Sequence, residues 1–296
     1  MERDLIIGGA TGYNYNQLKP WVESINEVCG DSVDKVLVVG DISQETREKL
    51  VQQGFMLIDM PVIENVPVHV KRFIAIYDYL KDSWQDYRYV VTTDVKDVYF
   101  QSNPFKWLAD RIGPERSDYK LVAGSEGMLY KDEPWGNDNL LQAYGPYVHE
   151  IFKNNEIYNV GTIGGVSEYV KDLVFNIFTN SINRPIQIVD QAVYNVLLQT
   201  QPYKDQILFC PQAEGWACQA GTTVDPSKIV QFRQHLIESE PIFEDGIVKT
   251  GESSYFTKKG TPFVIVHQYD RVPEWKQYVM KKYNQEDQSN FFNYRT

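Results

Sequence analysis

Apolar residues follow two alternating patterns along the first third of the chain. Short apolar runs at Leu5–Gly8, Val36–Gly40 and Phe55–Asp59 are typical of buried strands. Between the first two runs, apolar residues recur every three or four positions from about Asn16 to Cys29, which predicts an amphipathic helix. A second helix is predicted from an N-cap at Ser43 to a glycine stop at Gly54.

The same alternation continues into the middle of the chain. Helical spacing from Val70 to Leu80 precedes a strongly apolar run at 88–94, which predicts another helix and another strand. Strands that alternate with helices in this way predict an α/β fold. Its central sheet should be mostly parallel, with helices on both faces.

The second half has a more mixed pattern. Strands are predicted at 121–124, 159–165 and 263–267, and helices at 139–153, 169–179 and 190–198. The helix at 139–153 contains the breaker Gly145-Pro146, and the strand at 159–165 is expected to turn on its glycines. Residues 285–296 are polar and aromatic, which predicts a surface tail. Because no repeat or linker interrupts the pattern, we expect one domain over residues 1–296.

Composition excludes several classes of protein. The 296 residues carry a net charge of −11, which argues against binding to nucleic acid. No apolar stretch approaches the roughly 20 residues of a transmembrane helix, and the N-terminus lacks the basic start of a signal peptide. Cys29, Cys210 and Cys218 are an odd number without CxxC spacing, which argues against a disulfide framework or a zinc site. These features favour a cytoplasmic protein.

Two acids follow the apolar run at 88–94. Asp94 and Asp97 would lie at the carboxyl edge of the sheet, where open α/β sheets bind ligands. Carboxylates suit Mg²⁺ or Mn²⁺ bound to a diphosphate. Residues three apart face opposite sides of a strand, so the chain must turn between them and begin a new short strand at Val98. A solvated turn is the alternative, and it is the commoner meaning of a lone DxxD.

The segment Thr93–Phe105 resembles the metal-binding region of GT-A-type glycosyltransferases, in which a DxD-like motif is often followed by Asp/Asn-Pro-Phe. This chain has two residues between the acids instead of one. Three further segments fit the same family in the same order. They are Tyr158–Gly165 (N-x-G-x-x-G), Asp190–Asn195 (a DQ…N helix start) and Val264–Tyr269, a strand that ends in a histidine.

The resemblance implies a GT-A-type α/β fold with a mostly parallel sheet and a small additional antiparallel region. Residues 1–105 would form the nucleotide-binding half and residues 106–284 the sugar and acceptor half. The implied activity is metal-dependent sugar transfer, with Mn²⁺ or Mg²⁺, from a nucleotide-diphosphate donor to a hydroxyl of a glycan or another acceptor. UDP is the expected nucleotide, and the DQ segment and late histidine resemble members that retain the anomeric configuration. Inversion is the alternative, with Asp190 or an acid of the 126–138 loop as the base.

The resemblance also implies roles for individual residues. The metal ligands would be Asp94, Asp97 and His267. The groups beside the sugar and the anomeric carbon would be Asn159, Gly161, Gly164, Asp190 and Gln191. The nucleotide and its phosphates would contact Gly9, Ala10, Thr11, Tyr13, Asp41, Lys71, Arg72 and Thr93. The region of Glu126 and Trp135 would meet the acceptor.

Simpler roles remain open for several of these residues. Asp190 also fits a helix N-cap, and Asp41 also fits a turn residue. Lys71 and Arg72 also fit the solvated end of a helix. A lone histidine such as His267 is often a structural residue.

Three other functions are weighed against this one. An NAD-binding loop would need a glycine where Tyr15 lies, so the Gly8–Tyr15 segment does not fit the dinucleotide fingerprint. A sugar-nucleotide nucleotidyltransferase would need basic residues in that loop, and it has none. A non-catalytic nucleotide- or sugar-binding protein is the third alternative.

Overall fold

Seven strands form the central sheet of the computed structural model, which describes residues 3–113, 118–236 and 240–284. These strands are β1 (Arg3–Thr11), β2 (Val33–Gly40), β3 (Met56–Asp59), β4 (Tyr87–Thr93), β6 (Leu121–Leu129), β7 (Glu156–Val166) and β8 (Ile207–Cys210). The short strand β5 (Val98–Phe100) lies outside this sheet. The order across the sheet is β3-β2-β1-β4-β7-β6-β8. Only β7 runs antiparallel to its neighbours in this sheet. The predicted mostly parallel sheet is therefore confirmed.

Helices cover both faces of this sheet. The helices of the described residues are α1 (Tyr15–Cys29), α2 (Gln44–Gln52), α3 (Val68–Ser83), α4 (Pro104–Ile112), α5 (Pro134–Phe152), α6 (Ser167–Ser181), α7 (Asp190–Leu198), α8 (Ala220–Thr223), α9 (Ile229–Phe232) and α10 (Pro273–Tyr283). Leu5 and Ile7 of β1 pack into one core layer with α3 and α6, and Ile6 packs into the other with α1 and α4. The layers follow from the alternation of side chains along a strand.

A second, three-stranded sheet brings distant parts of the chain together. Strand β12 (Ile265–His267) lies between β5, which is antiparallel to it, and β9 (Ala217–Gln219), which is parallel. In this register His267 is opposite both Val98 and Gln219. The last small sheet is an antiparallel pair, β10 (Ile242–Glu244) with β11 (Ile247–Lys249). These two sheets supply the additional antiparallel region.

The glycines of β7 do not turn the chain, contrary to the prediction from sequence. The strand runs without interruption over 11 residues. Its glycines instead make room for neighbours, since a Cβ added at Gly164 would lie 2.7 Å from Trp216 and one at Gly165 would lie 2.5 Å from the Lys120 carbonyl oxygen. The predicted break in α5 does occur, at Gly145 with φ of 76°.

The remaining expectations concern cysteines, membrane spans and the tail. All three cysteines lie within the described ranges, and each is buried with a free thiol. Over the same ranges, no helix has the length and apolar character needed to cross a bilayer. The predicted tail at 285–296 lies outside the described residues.

Candidate functional site

The chain turns between Asp94 and Asp97, as the sequence predicts. Strand β4 ends at Thr93 and β5 begins at Val98, so the two acids lie in the connection at the carboxyl edge of the sheet. The backbone N–H of Asp94 donates to the Gly161 carbonyl (3.0 Å), and the N–H of Gln268 donates to the Asp97 carbonyl (2.7 Å). These bonds fix the turn to β7 and to the end of β12.

His267 completes a cluster with the two acids, here named the acid–histidine cluster. His267 Nε2 lies 3.4 Å from Asp94 Oδ2 and 3.8 Å from Asp97 Oδ1. One ligand atom from each residue lies within 4.8 Å of the others, which is a spacing that allows a single divalent cation to contact all three. Two carboxylates and an imidazole are a suitable ligand set for Mn²⁺.

The orientation of the His267 ring favours metal binding. Its Nδ1 lies 2.7 Å from Gln219 Oε1, and Gln219 Nε2 donates to Thr162 Oγ1 at 2.9 Å. The Gln219 amide oxygen can only accept, so Nδ1 carries the proton and the lone pair of Nε2 faces the acids. Burial also lowers the pKa of His267, against the opposing effect of Asp97, and so favours the neutral ring that a metal requires. The residues present therefore fit a divalent cation.

Arg72 of α3 connects this cluster to a further acid. Its Nη1 contacts the Asp94 carboxylate, and its Nη2 lies 3.5 Å from Asp190 Oδ2. Gly9 allows this approach, because a Cβ there would lie 3.0 Å from Arg72 Cβ. Burial lowers the pKa of Arg72, and Asp190 is the largest opposing influence. Within the described residues, Arg72 Nε has no hydrogen-bond partner, which leaves a donor for a ligand.

A second group of side chains, here named the carboxyl–amide cluster, lies deeper in the site. Glu126 Oε1 accepts hydrogen bonds from Asn159 Nδ2 (2.7 Å) and from Gln191 Nε2 (3.0 Å). Burial raises the pKa of Glu126 to about 7, and the hydrogen bond from Asn159 is the largest opposing influence. Asn159 Oδ1 accepts from the Gly161 N–H (2.7 Å). The amides therefore hold the carboxyl group in one orientation.

Gly161 is the point at which the two clusters meet. A Cβ at this position would lie 2.8 Å from Asp94 Oδ2, 2.9 Å from Asn159 Oδ1 and 2.9 Å from His267 Cε1. Any side chain would have to displace one of these groups. A glycine is required here for close approach and not for an unusual backbone conformation.

Two adjoining cavities open at this edge of the sheet. The larger of the two, of about 460 Å³, is lined by Glu126, Asn159, Asp190, Gln191 and His267 among others. The smaller, of about 270 Å³, is lined by Gly9, Thr11, Tyr13 and Asp97 among others. His69, Arg72, Asp94 and Arg271 line both. The two cavities therefore meet where the acids and the cations lie.

Some residues singled out from sequence lie outside both linings. They are Ala10, Asp41, Lys71, Thr93, Gly161 and Gly164. Ala10 packs in the core, and the Thr93 hydroxyl accepts a hydrogen bond from Trp21 Nε1 (2.8 Å). Gly164 packs against Trp216, and Asp41 is an exposed residue with φ of 48°. Asp190 makes no N-cap hydrogen bond and instead pairs with Arg72.

Sequence reasoning also missed several residues of the site. The additional lining residues include His69, Lys96, Glu133, Lys228, Gln268 and Arg271, and Gln219 orients the histidine. Lys96 could have been suspected, because it lies between the two acids. Arg271, four residues beyond His267, carried a weaker signal. Gln268 directly follows His267, and Glu133 lies in the region of Glu126 and Trp135. Gln219 and Lys228 come from a segment that only the fold brings to the site.

Comparisons with known proteins give a structural likeness and no sequence relative. No family model matches the chain, and no curated protein matches it in sequence. The structure of the bifunctional glycosyltransferase WbbM matches with a TM-score of 0.57 and 9% identity, over 97% of this chain and 51% of WbbM. The fold of this chain is therefore similar to that of WbbM. The expected GT-A-type α/β fold is therefore confirmed. The chain spans about half the length of WbbM.

A galactosyltransferase, LgtC, solved in complex with donor and acceptor sugar analogues, also matches. Its TM-score is 0.49 and its identity 13%, over 89% of this chain and 86% of LgtC.

Proposed function

We propose that this protein is a metal-dependent glycosyltransferase. It transfers a sugar from a nucleotide-diphosphate donor, a UDP-sugar, to a hydroxyl of a glycan or another acceptor, with retention of the anomeric configuration. Residues 1–105 form the nucleotide-binding half and residues 106–284 the sugar and acceptor half. The observation that carries the proposal is the convergence of Asp94, Asp97 and His267 beside Arg72, at the junction of two cavities.

The acid–histidine cluster holds Mn²⁺ or Mg²⁺ in this proposal. A bound divalent cation supplies a Lewis acid that neutralises the charge of the diphosphate leaving group. Gln219 keeps the Nε2 lone pair of His267 directed at the acids. Arg72 adds hydrogen bonds to the diphosphate from the other side, since its Nε has no partner among the described residues.

The smaller cavity, of about 270 Å³, binds the nucleoside diphosphate in this proposal. Tyr13 offers a ring to the base, and burial, with Asp97 as the next largest influence, raises the pKa of its hydroxyl. The phenol therefore stays protonated and can donate a hydrogen bond to the ribose or a phosphate. Thr11 lines the same cavity, and within the described ranges its buried Oγ1 has no hydrogen-bond partner.

The larger cavity, of about 460 Å³, holds the sugar and the acceptor in this proposal. Asp190 is buried and paired with Arg72, so its charge is stabilised beside the proposed anomeric carbon. Gln191 donates its amide N–H to Glu126, which leaves its oxygen for the cavity. An anionic and a dipolar oxygen on one side of the sugar stabilise positive charge at C1 during bond cleavage. Retention follows if the acceptor attacks from the face the diphosphate leaves.

The direct test is binding and turnover of UDP-sugars with and without Mn²⁺. We expect UDP to raise the melting temperature only when Mn²⁺ is present, and at least one UDP-sugar to be hydrolysed slowly without an acceptor. NMR of the transfer product should give the same anomeric configuration as the donor. Absence of stabilisation by any nucleoside diphosphate with Mn²⁺ would contradict the proposal.

Two rival functions are distinguished by the same samples. A nucleotidyltransferase would release pyrophosphate from UTP and a sugar phosphate. A binding protein would bind UDP-sugar without turning it over, and replacing Asp97 by Asn would not alter the fate of the donor. Neither result is expected.

A further inference from the structure

A pair of aromatic side chains projects from the segment between β11 and β12. In residues 251–260, here named the aromatic loop, Tyr255 is 92% exposed and Phe256 is 61% exposed. The two rings contact each other edge to face, with centroids 4.8 Å apart. Large adjacent apolar groups on a surface commonly mark an interaction site.

Hydrogen bonds hold the aromatic loop in this conformation. The N–H of Ser254 donates to the Thr257 carbonyl (2.7 Å), and the N–H of Thr257 donates to Ser254 Oγ (2.9 Å). Thr257 Oγ1 donates to the Glu214 carbonyl (3.2 Å), and the Gly260 N–H donates to the Thr250 carbonyl (2.8 Å). The loop is thus tied both to itself and to the body of the protein, and it keeps the two rings turned outward.

The ring geometry argues against a platform for a sugar. The planes of Tyr255 and Phe256 are 84° apart, so no sugar face can stack on both. One face of Phe256 is already covered by the Arg111 guanidinium, 4.9 Å from the ring centroid. Arg111 also lies over Trp107 (5.2 Å) and donates to Thr257 Oγ1 (3.1 Å). The two rings therefore face solvent, and the Arg111 guanidinium lies against one face of Phe256.

The charge of the loop differs in sign from that of the whole chain. Lys258 and Lys259 follow the aromatic pair and are exposed, and Glu252 is the loop's acid, so two positive charges and one negative leave a net +1. The chain as a whole carries −11. Exposed aromatic rings beside lysines are the composition found at the headgroup level of lipid bilayers.

A cavity lined by Ile112, the residue after Arg111, has a similar composition. It has a volume of about 380 Å³, and its lining includes Trp84, Tyr169, Lys120 and Ile112. Ile112 directly follows Arg111, which contacts the loop. Lys120 precedes β6, and Tyr87, at the start of β4, also lines the cavity. The cavity thus lies at the amino edge of these strands, away from the candidate active site.

The geometry points to a peripheral membrane contact in which the aromatic loop binds an anionic phospholipid surface. Tyr255 and Phe256 enter the interfacial region of the bilayer, and Lys258 and Lys259 pair with headgroups. A protein partner is the less suitable occupant, since a standard interface buries about 800 Å² on each side. Two projecting rings offer about half of that area.

The test is co-sedimentation of the full chain with large unilamellar vesicles of phosphatidylcholine containing one quarter phosphatidylglycerol. We expect binding that the double variant Y255S/F256S weakens by about tenfold or more. The single variant Y255S should lose part of this binding. Because Tyr255 is almost fully exposed, its replacement should leave folding unchanged. Replacing both lysines by Glu should weaken binding roughly fivefold or more per residue on anionic vesicles and little on pure phosphatidylcholine.

A matched control comes from another exposed pair, Tyr147 (79% exposed) and Ile151 (55% exposed), one turn apart on α5. The variant Y147S/I151S removes similar apolar surface and should bind vesicles like the wild type. The inference is overturned if the wild type does not bind vesicles, if Y255S/F256S binds equally well, or if the control loses as much. It is also overturned if light scattering reveals a dimer that Y255S/F256S dissociates. None of these measurements depends on donor turnover, so the proposed transferase activity is tested separately.

Discussion

The acid–histidine cluster and the carboxyl–amide cluster meet at Gly161 but differ in how their charge is balanced. Two carboxylates, with side chains 32% and 16% exposed, face a neutral imidazole in the first, and Arg72 contacts one of them, that of Asp94. In the second, the single buried carboxyl of Glu126 accepts hydrogen bonds from two amides. The first cluster therefore has excess negative charge that a divalent cation would balance. The second is satisfied by the protein itself and fixes the shape of the cavity that it lines.

The largest expected effect follows from removing charge from the first cluster alone. The variant D97N keeps the size of the side chain but removes one anionic ligand, so we expect sugar transfer to fall about a thousandfold. The rise in melting temperature on adding Mn²⁺ with UDP should also disappear. Activity can be measured by release of UDP.

A matched change in the second cluster separates the two roles. The variant N159A should retain stabilisation by Mn²⁺ with UDP, because in the described part of the chain Asn159 makes hydrogen bonds to Glu126 and Gly161 and to none of the three proposed metal ligands. Equal loss of Mn²⁺ binding in both variants would show that the clusters do not act separately.

The next effect concerns Gly161, which touches both clusters. A Cβ in G161A would push on Asp94, Asn159 and His267 together, so we expect about a hundredfold loss of transfer. Overpacking should also lower the free energy of unfolding by about 1–3 kcal/mol. Urea unfolding and kinetics measure the two quantities.

The control for this variant is G164A on the same strand, where the added Cβ would meet Trp216 instead. It should be destabilised by a similar amount but keep Mn²⁺ binding. If G164A loses Mn²⁺ binding as fully as G161A does, the effect of the G161A substitution on the site is a general consequence of distorting β7.

A smaller effect is expected when the support of His267 is removed. In Q219L the Nδ1–H of His267 loses its acceptor, and the ring can turn or change tautomer. Loss of such a partner typically lowers metal affinity 10- to 100-fold. Titration of Mn²⁺ followed by electron paramagnetic resonance measures this. Unchanged affinity would mean that His267 does not depend on Gln219 for its orientation, or is not a ligand.

The smallest effect concerns stability and pH. Burial raises the pKa of Glu126 from its ordinary value of 4.5 to about 7. Between these pH values the folded protein keeps a proton that the unfolded chain releases, so stability falls as the pH rises and the full cost is present above pH 7. The variant E126Q should lack this cost, since its amide oxygen can still accept from Asn159 and Gln191.

We therefore expect E126Q to be more stable than the wild type at pH 8 by about 1 kcal/mol or more, with the difference vanishing near pH 4.5. Urea unfolding at both values measures it. A difference that is the same at both pH values would contradict the buried, proton-binding state of Glu126.

The sequence predicts the parallel part of the sheet well, because its signals are local. Helix α1 begins one residue before the predicted range and ends at the predicted residue, and Ser43 caps α2 through the N–H of Thr46. The turn between Asp94 and Asp97 could also be predicted, since alternation along a strand required it. In these segments, apolar spacing and chain geometry lead to the same structure.

Prediction fails where tertiary contacts outweigh local pattern. Strand β6 extends to Leu129 instead of ending at Gly124, because Ser125 and Glu126 are polar residues buried by partners from β7 and α7. Helix α5 begins at Pro134, ahead of the predicted residue 139, since the Glu133 side chain accepts from the N–H groups that follow it. The carboxyl–amide cluster could not be predicted, because it joins three segments that are far apart in sequence.

The three-stranded sheet β5-β12-β9 has a consequence for the order of biosynthesis. His267 reaches its position only when β12 inserts between two strands that were made earlier. A growing chain can therefore complete the parallel core of β1 to β4 well before a site with all three proposed metal ligands exists. A nascent or truncated chain that ends before residue 265 would lack His267. The proposed metal site would therefore form only after most of the chain has been synthesised.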